Sequence, residues 1–212
     1  MSAASGAYLG TSDFAATVLG ILASSGHRPA LAVTLPDRKQ GRGRKVSPSP
    51  VATAAEELGI EVFKCGDVNQ PEARERILAA GGEWASICAF GQLIKEPLLT
   101  DLPMLNVHPS LLPRWRGAAP IERSIMAGDE QTGVCVMRLV AGLDSGPVAR
   151  REATAIEPGE DFGSLSERLA RIGGDLLVKA LEAAADGSIE WTEQVDAEAT
   201  YAEKIDADDR QL

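Results

Sequence analysis

The sequence predicts an α/β protein with a mostly parallel, twisted sheet and helices on both faces. Residues 30–35 and 84–90 are short, nearly continuous apolar runs, which indicate strands buried on both faces. Between the first turn and the run at 30–35, Phe14, Val18 and Leu22 recur at helical spacing. This β-α-β order implies parallel strands joined by right-handed crossovers.

The first half of the chain alternates apolar runs with segments of helical periodicity. Its first strand is expected to be weak, because only Tyr8 and Leu9 precede the turn at 10–13, whose Ser and Asp can cap the following helix. Gly26 and Gly59 are expected to end the first and second helices. Further strands are predicted at 30–35, 60–63 and 84–90, and further helices at 51–58 and 71–80.

The second half is expected to complete the sheet and to end in a long helix. The elements predicted here are a helix at 121–127, a strand at 132–139, a turn at 140–146 and an extended segment at 147–154. Ser164 and Glu167 have capping-box spacing, which places the start of the last helix at Ser164. Its apolar face is formed by Leu165, Leu169, Ile172, Leu176 and Ala180. This succession of elements is typical of a Rossmann-like sheet.

The composition is that of an ordinary globular protein and argues against several classes of function. The net charge of −10 disfavours a general nucleic-acid coat, although a local basic patch remains compatible with it. No apolar run approaches the ~20 residues of a membrane helix, and no signal peptide is evident, so we expect a cytoplasmic protein without a membrane partner. Cys65, Cys88 and Cys135 lie in apolar runs without metal-ligand spacing and are expected to be small buried hydrophobes.

We predict one domain over residues 1–188 and an extended linker over residues 189–212. A chain of 212 residues suits one domain with an appendage. The last stretch is acidic and contains few apolar side chains, which favours an extended connection over a core element.

The stretch 37–45 is strongly basic, with five cations and a single acid, Asp37. The cations are Arg38, Lys39, Arg42, Arg44 and Lys45. Such a run is most often a solvated, mobile loop. The alternative is a flexible arm for a phosphate backbone, with Gly41 and Gly43 supplying adaptability. Composition alone favours the first interpretation.

The stretch from Asn106 to Pro120 is the most informative part of the chain. It follows the apolar pair Met104-Leu105, which could end a buried strand. Asn106 and His108 would point to the same side of the pleat. Catalytic groups favour loops beyond the carboxyl ends of strands, and an amide beside an imidazole suits a reacting carbonyl. Taken singly, each residue also has a simpler explanation, Asn106 as a turn residue and His108 as a core histidine.

The motif Asn106-x-His108-x-Ser110-Leu111-Leu112-Pro113, followed by Arg116-Gly117 and Gly142-Leu143-Asp144-Ser145-Gly146, resembles the catalytic signature of the folate-dependent formyltransferases. The residues at 110–121, 10–15 and 36–45 most resemble the branch that formylates methionyl initiator tRNA. The similarity covers almost the whole chain, residues 8–212.

The resemblance implies transfer of a formyl group from 10-formyltetrahydrofolate to the α-amino group of methionyl initiator tRNA, with no metal and no obligate protein partner. Asn106 would donate to the oxyanion, His108 would stabilise it or shuttle the proton, and Asp144 would hold the imidazole or a bridging water. The implied folate-binding residues are Phe90, Gly91, Gln92, Leu93, Ile94, Ser110, Leu111, Leu112, Pro113, Val140 and Gly142. The resemblance assigns Arg38, Lys39, Arg42, Arg44 and Lys45 to tRNA. It also implies that the linker leads toward a C-terminal tRNA-binding domain absent from this chain.

Other functions remain open at this point. The acceptor could be glycinamide ribonucleotide, although the glycine-rich phosphate loop expected after the first strand is replaced by Gly10-Thr11-Ser12-Asp13-Phe14. It could also be a nucleotide-linked amino sugar. A module that binds folate or RNA without turnover is disfavoured by the intact set of Asn106, His108 and Asp144. Arg114 and Arg116 could meet solvent, the folate glutamate or tRNA phosphate.

Overall fold

The structure, a computed structural model, describes residues 6–40 and 45–210. The strands are β1 (Ala7–Gly10), β2 (Leu31–Thr34), β3 (Arg38–Gln40), β4 (Lys45–Ser47), β5 (Glu61–Lys64), β6 (Ala85–Cys88), β7 (Met104–His108), β8 (Arg116–Gly117), β9 (Gln131–Arg138), β10 (Val148–Ala155) and β11 (Tyr201–Ala202). The helices are α1 (Asp13–Ala23), α2 (Pro50–Leu58), α3 (Pro71–Ala79), α4 (Leu98–Asp101), α5 (Pro120–Met126) and α6 (Phe162–Ala185).

Seven strands form one sheet in the order β10-β9-β7-β6-β1-β2-β5. The strands from β5 to β7 are parallel, whereas β9 and β10 are antiparallel to their neighbours. The chain first winds from β1 toward β5 and then returns to β6 and β7, so the strand order reverses between β1 and β6. Such a reversal leaves a crevice at the carboxyl ends of the strands. The predicted fold class is confirmed.

Helices cover both faces of this sheet. On β1, the side chain of Tyr8 faces the cluster that includes Phe14 of α1 and Leu165 of α6. Its neighbour Leu9 faces the opposite cluster, with Ile77 of α3. None of the helices in the described part of the chain has the length and hydrophobicity that a membrane crossing requires.

The first strand is stronger than its sequence predicts. All four residues of β1 are buried, and the strand pairs in parallel with both β2 and β6 at the centre of the sheet. Tyr8 donates its hydroxyl to the Ala15 carbonyl at 2.7 Å, so its polar tip is satisfied. All three cysteines are buried and free, as predicted. Burial raises the pKa of the Cys88 thiol to about 12, which keeps it protonated at neutral pH.

Two predicted helix boundaries are wrong for reasons of capping. The cap of α6 is Asp161 and not Ser164, because the Asp161 carboxylate accepts the Ser164 backbone N–H at 2.8 Å. Helix α1 ends at Ala23, before Gly26. The hydroxyls of Ser24 and Ser25 donate to carbonyls of its last turn.

The stretch at 38–47, here named the basic hairpin, contains an antiparallel strand pair. Arg38 pairs with Ser47, and Gln40 pairs with Lys45. An ion pair of 2.7 Å between Asp37 and Lys64 holds its base. The described part of this stretch thus has a regular strand pairing that its composition did not indicate, whereas Arg42 and Arg44 lie outside the described residues.

The end of the chain contacts the domain. Residues 191–202, here named the tail segment, begin with Trp191, whose ring lies 6.0 Å from that of Trp84. Thr192 exchanges two backbone hydrogen bonds with Val148. Further along, β11 pairs in parallel with β8. The extended chain predicted from composition is thus fixed against the sheet and against the loop after β7.

Candidate active site

A cavity of about 520 Å³ opens at the carboxyl ends of β1, β6 and β7, where the strand order reverses. Its walls come from segments far apart in sequence. They are residues 12–14, 87, 89–94, 106–109, 117–118, 120–122, 139–140 and 142–144, together with Phe162 and Ser166 of α6. Both the size and the position are typical of a ligand site in an open α/β sheet.

His108 ends β7 with its side chain only 5% exposed. Its Nε2 lies 2.8 Å from the Trp115 carbonyl oxygen. Because a carbonyl can only accept, Nε2 must carry the hydrogen, and the lone pair of a neutral ring is then on Nδ1. Nδ1 faces the Asp144 carboxylate at 3.7 Å. Nδ1 is therefore the ring nitrogen that can exchange a proton with a group bound in the cavity.

Asp144 reaches His108 from the turn between β9 and β10. Its Oδ2 accepts the Gly117 backbone N–H at 2.8 Å, and its side chain is 14% exposed. The distance of 3.7 Å to Nδ1 is too long for a hydrogen bond, and the contact becomes an ion pair only when the imidazole is protonated. Such contacts often tighten only once substrate is bound.

Asn106 lies two positions before His108 on the same strand and also lines the cavity. Its side-chain amide forms no hydrogen bond to any residue that the structure describes. The two amide hydrogens are therefore available to a carbonyl oxygen bound in the cavity.

Backbone strain is concentrated around this site. Within the described residues, the non-glycine residues with positive φ are Ala89 (41°), Trp115 (62°) and Asp144 (44°). Ala89 and Asp144 line the cavity, and Trp115 supplies the carbonyl that binds His108. Each such conformation costs on the order of 1–3 kcal/mol and persists only where the surroundings fix it.

The loop after β7 is held by contacts of its two arginines with the rest of the chain. Arg116 is 4% exposed and donates to Gln194 at 3.0 Å and to Asp196 at 2.8 Å. Arg114 stacks over the Trp115 ring and forms a two-bond pair with Asp129. Both guanidinium groups are thus engaged in support of the loop.

The predicted folate-binding residues fall into two groups. Those that line the cavity are Phe90, Gly91, Gln92, Leu93, Ile94, Val140 and Gly142. Those that lie away from it are Ser110, Leu111, Leu112 and Pro113. Ser110 donates its hydroxyl to the Arg114 carbonyl, and Leu112 is fully buried beside Cys135. This second group shapes the loop rather than the cavity wall.

The side chain of Gln92 joins two loops. It donates to the Cys65 carbonyl at 3.0 Å and accepts the Val68 N–H at 2.8 Å.

Several residues of the cavity lining were not predicted from the sequence. Leu143 and Phe162 are large apolar residues at the rim, 56% and 48% exposed. Leu143 stood inside the recognised Asp144 turn, so an apolar residue between two glycines was an available signal. No sequence signal pointed to Phe162, because the helix was expected to begin two residues later.

The basic hairpin leaves the sheet at the carboxyl end of β2, on the same edge as the cavity. The Arg38 side chain is exposed. No group of three or more His, Cys, Asp or Glu side chains able to hold a metal occurs within residues 6–40 and 45–210.

Comparison with known proteins gives sequence relatives over nearly the whole chain. The sequence model of the formyl transferase family matches residues 7–181. Methionyl-tRNA formyltransferase of Halorhodospira halophila is 46% identical over 208 residues, which cover 97% of this chain and 66% of that protein. The enzyme of the same name from Methylococcus capsulatus is 41% identical over 207 residues. The chain spans about two thirds of the length of these curated relatives.

Solved structures share the fold at lower identity. Glycinamide ribonucleotide transformylase 1 of Symbiobacterium toebii has a TM-score of 0.69 at 21% identity, with 86% of this chain and 87% of that chain covered. An N-formyltransferase of Helicobacter canadensis, solved with folinic acid and dTDP-3-aminofucose, has a TM-score of 0.69 at 18% identity, with 96% and 71% covered.

Proposed function

Because the chain belongs to the formyl transferase family, we propose that it transfers the formyl group of 10-formyltetrahydrofolate to the α-amino group of methionyl initiator tRNA. The observation that carries the chemistry is the meeting of Asn106, His108 and Asp144 at one end of the cavity. The choice of methionyl initiator tRNA as the acceptor is based on relatives that are 46% and 41% identical and are named for this reaction. The structures named for ribonucleotide or amino-sugar transfer are far more distant, so those acceptors are not favoured.

In this reaction a bond forms between the acceptor nitrogen and the formyl carbon, and the bond from that carbon to the folate N10 breaks. Negative charge develops on the formyl oxygen as the carbon becomes tetrahedral. The free amide of Asn106 can donate to that oxygen. Loss of one such donor typically lowers the rate ~10²–10³-fold.

His108 moves the proton. Its Nδ1 accepts the proton that the attacking nitrogen loses and returns it to the leaving nitrogen. While the ring is charged, the Asp144 carboxylate at 3.7 Å stabilises it. The hydrogen bond from Nε2 to the Trp115 carbonyl keeps the ring in the required tautomer throughout. None of these steps requires a metal.

The formyl donor fits the cavity by size and by lining. About 520 Å³ lies within the usual range for small-molecule sites. Phe90 and Ile94 give an apolar wall, and we assign the hydrogen bonds to the pterin ring to backbone groups of Gly91, Gln92, Val140 and Gly142 in the lining. Ser110 to Pro113 would contribute by shaping the catalytic loop.

The basic hairpin is part of the proposal as the contact for tRNA phosphates, through Arg38, Lys39, Arg42, Arg44 and Lys45. These five cations stand out against a net charge of −10. Arg38, the first of them, follows the carboxyl end of β2, on the edge of the sheet where the cavity opens. We assign catalysis to residues 1–188 and place the reaction in the cytoplasm, with no membrane and no obligate protein partner.

A formyl-transfer assay tests the proposal. The protein is incubated with 10-formyltetrahydrofolate and either charged initiator tRNA or glycinamide ribonucleotide, and the formylated product is quantified. We expect product from the charged tRNA, and none from uncharged tRNA as the control. Transfer to the ribonucleotide alone would reject the proposed acceptor.

A further inference from the structure

Gln194 in the tail segment contacts both the turn that carries Asp144 and the loop that follows His108. Its Nε2 donates to the Asp144 carbonyl at 2.8 Å and to the Gly146 carbonyl at 2.7 Å. Its Oε1 accepts from Nε of Arg116 at 3.0 Å. One amide thereby joins the turn that carries Asp144 to the loop that follows β7.

Both sets of Gln194 contacts influence the position of the Asp144 carboxylate. Arg116 precedes Gly117, whose N–H donates to that carboxylate at 2.8 Å. The Asp144 backbone has a positive φ of 44°, a conformation that residues with a side chain adopt only where the surroundings hold it. Two donors from Gln194 bind the carbonyls within this turn. Gln194 therefore fixes both the turn and the N–H that the carboxylate accepts.

The tail segment is itself anchored on each side of Gln194. Thr192 exchanges backbone hydrogen bonds of 2.8 and 2.9 Å with Val148. Thr200 accepts from the Arg116 N–H at 2.9 Å and donates to the Pro113 carbonyl at 3.2 Å. Gly117 permits the close approach, since a Cβ there would lie 2.8 Å from the Ala202 oxygen. The Gln194 backbone is thus fixed before its side chain makes any contact.

We propose that Gln194 is a positioning residue for Asp144, and through it for His108, in the reaction proposed above. It does not line the cavity and touches no reacting atom. Its effect should fall on the chemical step rather than on substrate binding. The inference rests on the proposed function, so its test includes a measurement that is independent of formyl transfer.

The informative variant is Gln194→Glu, which keeps an acceptor for Arg116 but removes the donors to the two carbonyls. We expect kcat to fall about 10-fold or more, because small misplacements of catalytic groups are costly, with KM for the formyl donor within about twofold of wild type. Glu193→Gln, at an exposed neighbouring position, is the matched control and should leave both parameters unchanged. Gln194→Ala serves as a second variant that adds no unpaired oxygen.

A double mutant shows whether Gln194 acts through Asp144. In an Asp144→Asn background, Gln194→Glu should lower kcat no further, because residues that act as one unit give non-additive effects. Losses that multiply would overturn the proposal. So would a kcat loss seen only in variants whose unfolding temperature falls to the assay temperature.

Exchange of the Gly117 amide hydrogen, measured by NMR in the full chain, gives the independent measurement. We expect faster exchange in Gln194→Glu than in wild type and in Glu193→Gln, because the acceptor of this N–H is less firmly held. Unchanged exchange together with unchanged kcat rejects the positioning role. If the wild-type chain formylates no tRNA, the proposed function fails, while the exchange result still decides whether Gln194 holds Asp144.

Discussion

The loop after β7 (residues 109–119) and the basic hairpin (residues 38–47) both serve the proposed reaction, yet the fold holds them very differently. In the loop, Arg116 is buried and hydrogen-bonded, and Trp115 is fixed by its backbone and by its indole N–H. In the described part of the hairpin, the strands pair with each other, and one ion pair, Asp37 with Lys64, holds the base.

The difference in support matches what the proposed reaction would require of each region. Proton transfer and oxyanion stabilisation depend on hydrogen-bond geometry within a fraction of an ångström, so the supporting contacts must be many and buried. Attraction of phosphate acts over a Debye length of about 10 Å and tolerates variable geometry, so exposed cations suffice. The amount of support around a functional group thus indicates whether it works by position or by charge.

The largest effect on activity is expected from a substitution at His108, next to the firmly held loop after β7. His108→Ala removes the proton carrier, and kcat should fall ~10²–10⁴-fold while binding of a formyl-folate analogue is retained. Steady-state kinetics and equilibrium binding measure the two quantities. His27→Ala, at the end of α1, is the control and should behave as wild type. A nearly normal kcat for His108→Ala would show that the buried histidine is only structural.

A smaller and different effect is expected from the hairpin. Replacement of Arg42 and Arg44 by alanine should raise KM for charged tRNA on the order of 10-fold with kcat nearly unchanged, and should reduce the slope of log KM against log salt by about 1–2. Arg171 and Lys179, exposed on α6, form the matched control pair. An unchanged salt response would mean that the hairpin does not contact tRNA.

The smallest effect concerns stability. The Asp129 carboxylate accepts from Arg114 and from the Trp115 indole, and these hydrogen bonds, the one from Arg114 foremost, lower its pKa below the usual value. A lowered folded-state pKa gives stability that is fully present above about pH 4 and is lost as pH falls through the folded-state pKa. Asp129→Asn should therefore lower the free energy of unfolding by about 1 kcal/mol at pH 7, a value that allows for solvent screening at the exposed Arg114 side chain. The loss should be smaller in acid.

Chemical denaturation at pH 7 and pH 3 measures this difference, with Asp175→Asn on the exposed face of α6 as the control. An equal cost at both pH values would mean that Asp129 supports the loop through shape rather than charge.

Much of the scaffold could be predicted because it depends on local patterns. The buried runs that became β2 and β6 and the cap at Ser12 act within a few residues of themselves. The helix start at Ser164 failed because Asp161 and Ser164 have similar cap chemistry, and only the observed backbone path selects between them. Composition also misjudged β1, since burial at the sheet centre does not require a long apolar run.

The proposed reacting groups were predicted from the resemblance to a known family, but their arrangement was not. The resemblance implied that Ser110 to Pro113 bind folate, whereas the structure places them in the loop after β7 and outside the cavity lining. The tail segment looked like a linker because its side chains are acidic. Its anchoring comes mainly from backbone hydrogen bonds, which composition does not reveal.

The sequence by itself determined the parallel sheet, because periodicity is a property of short segments, and its motifs pointed to Asn106, His108 and Asp144 through their resemblance to a known family. Only the tertiary structure decided that Nδ1 of His108 faces Asp144 and that Gln194 bonds to Arg116, 78 positions earlier in the chain. Such contacts depend on how distant segments pack, and no local pattern specifies them.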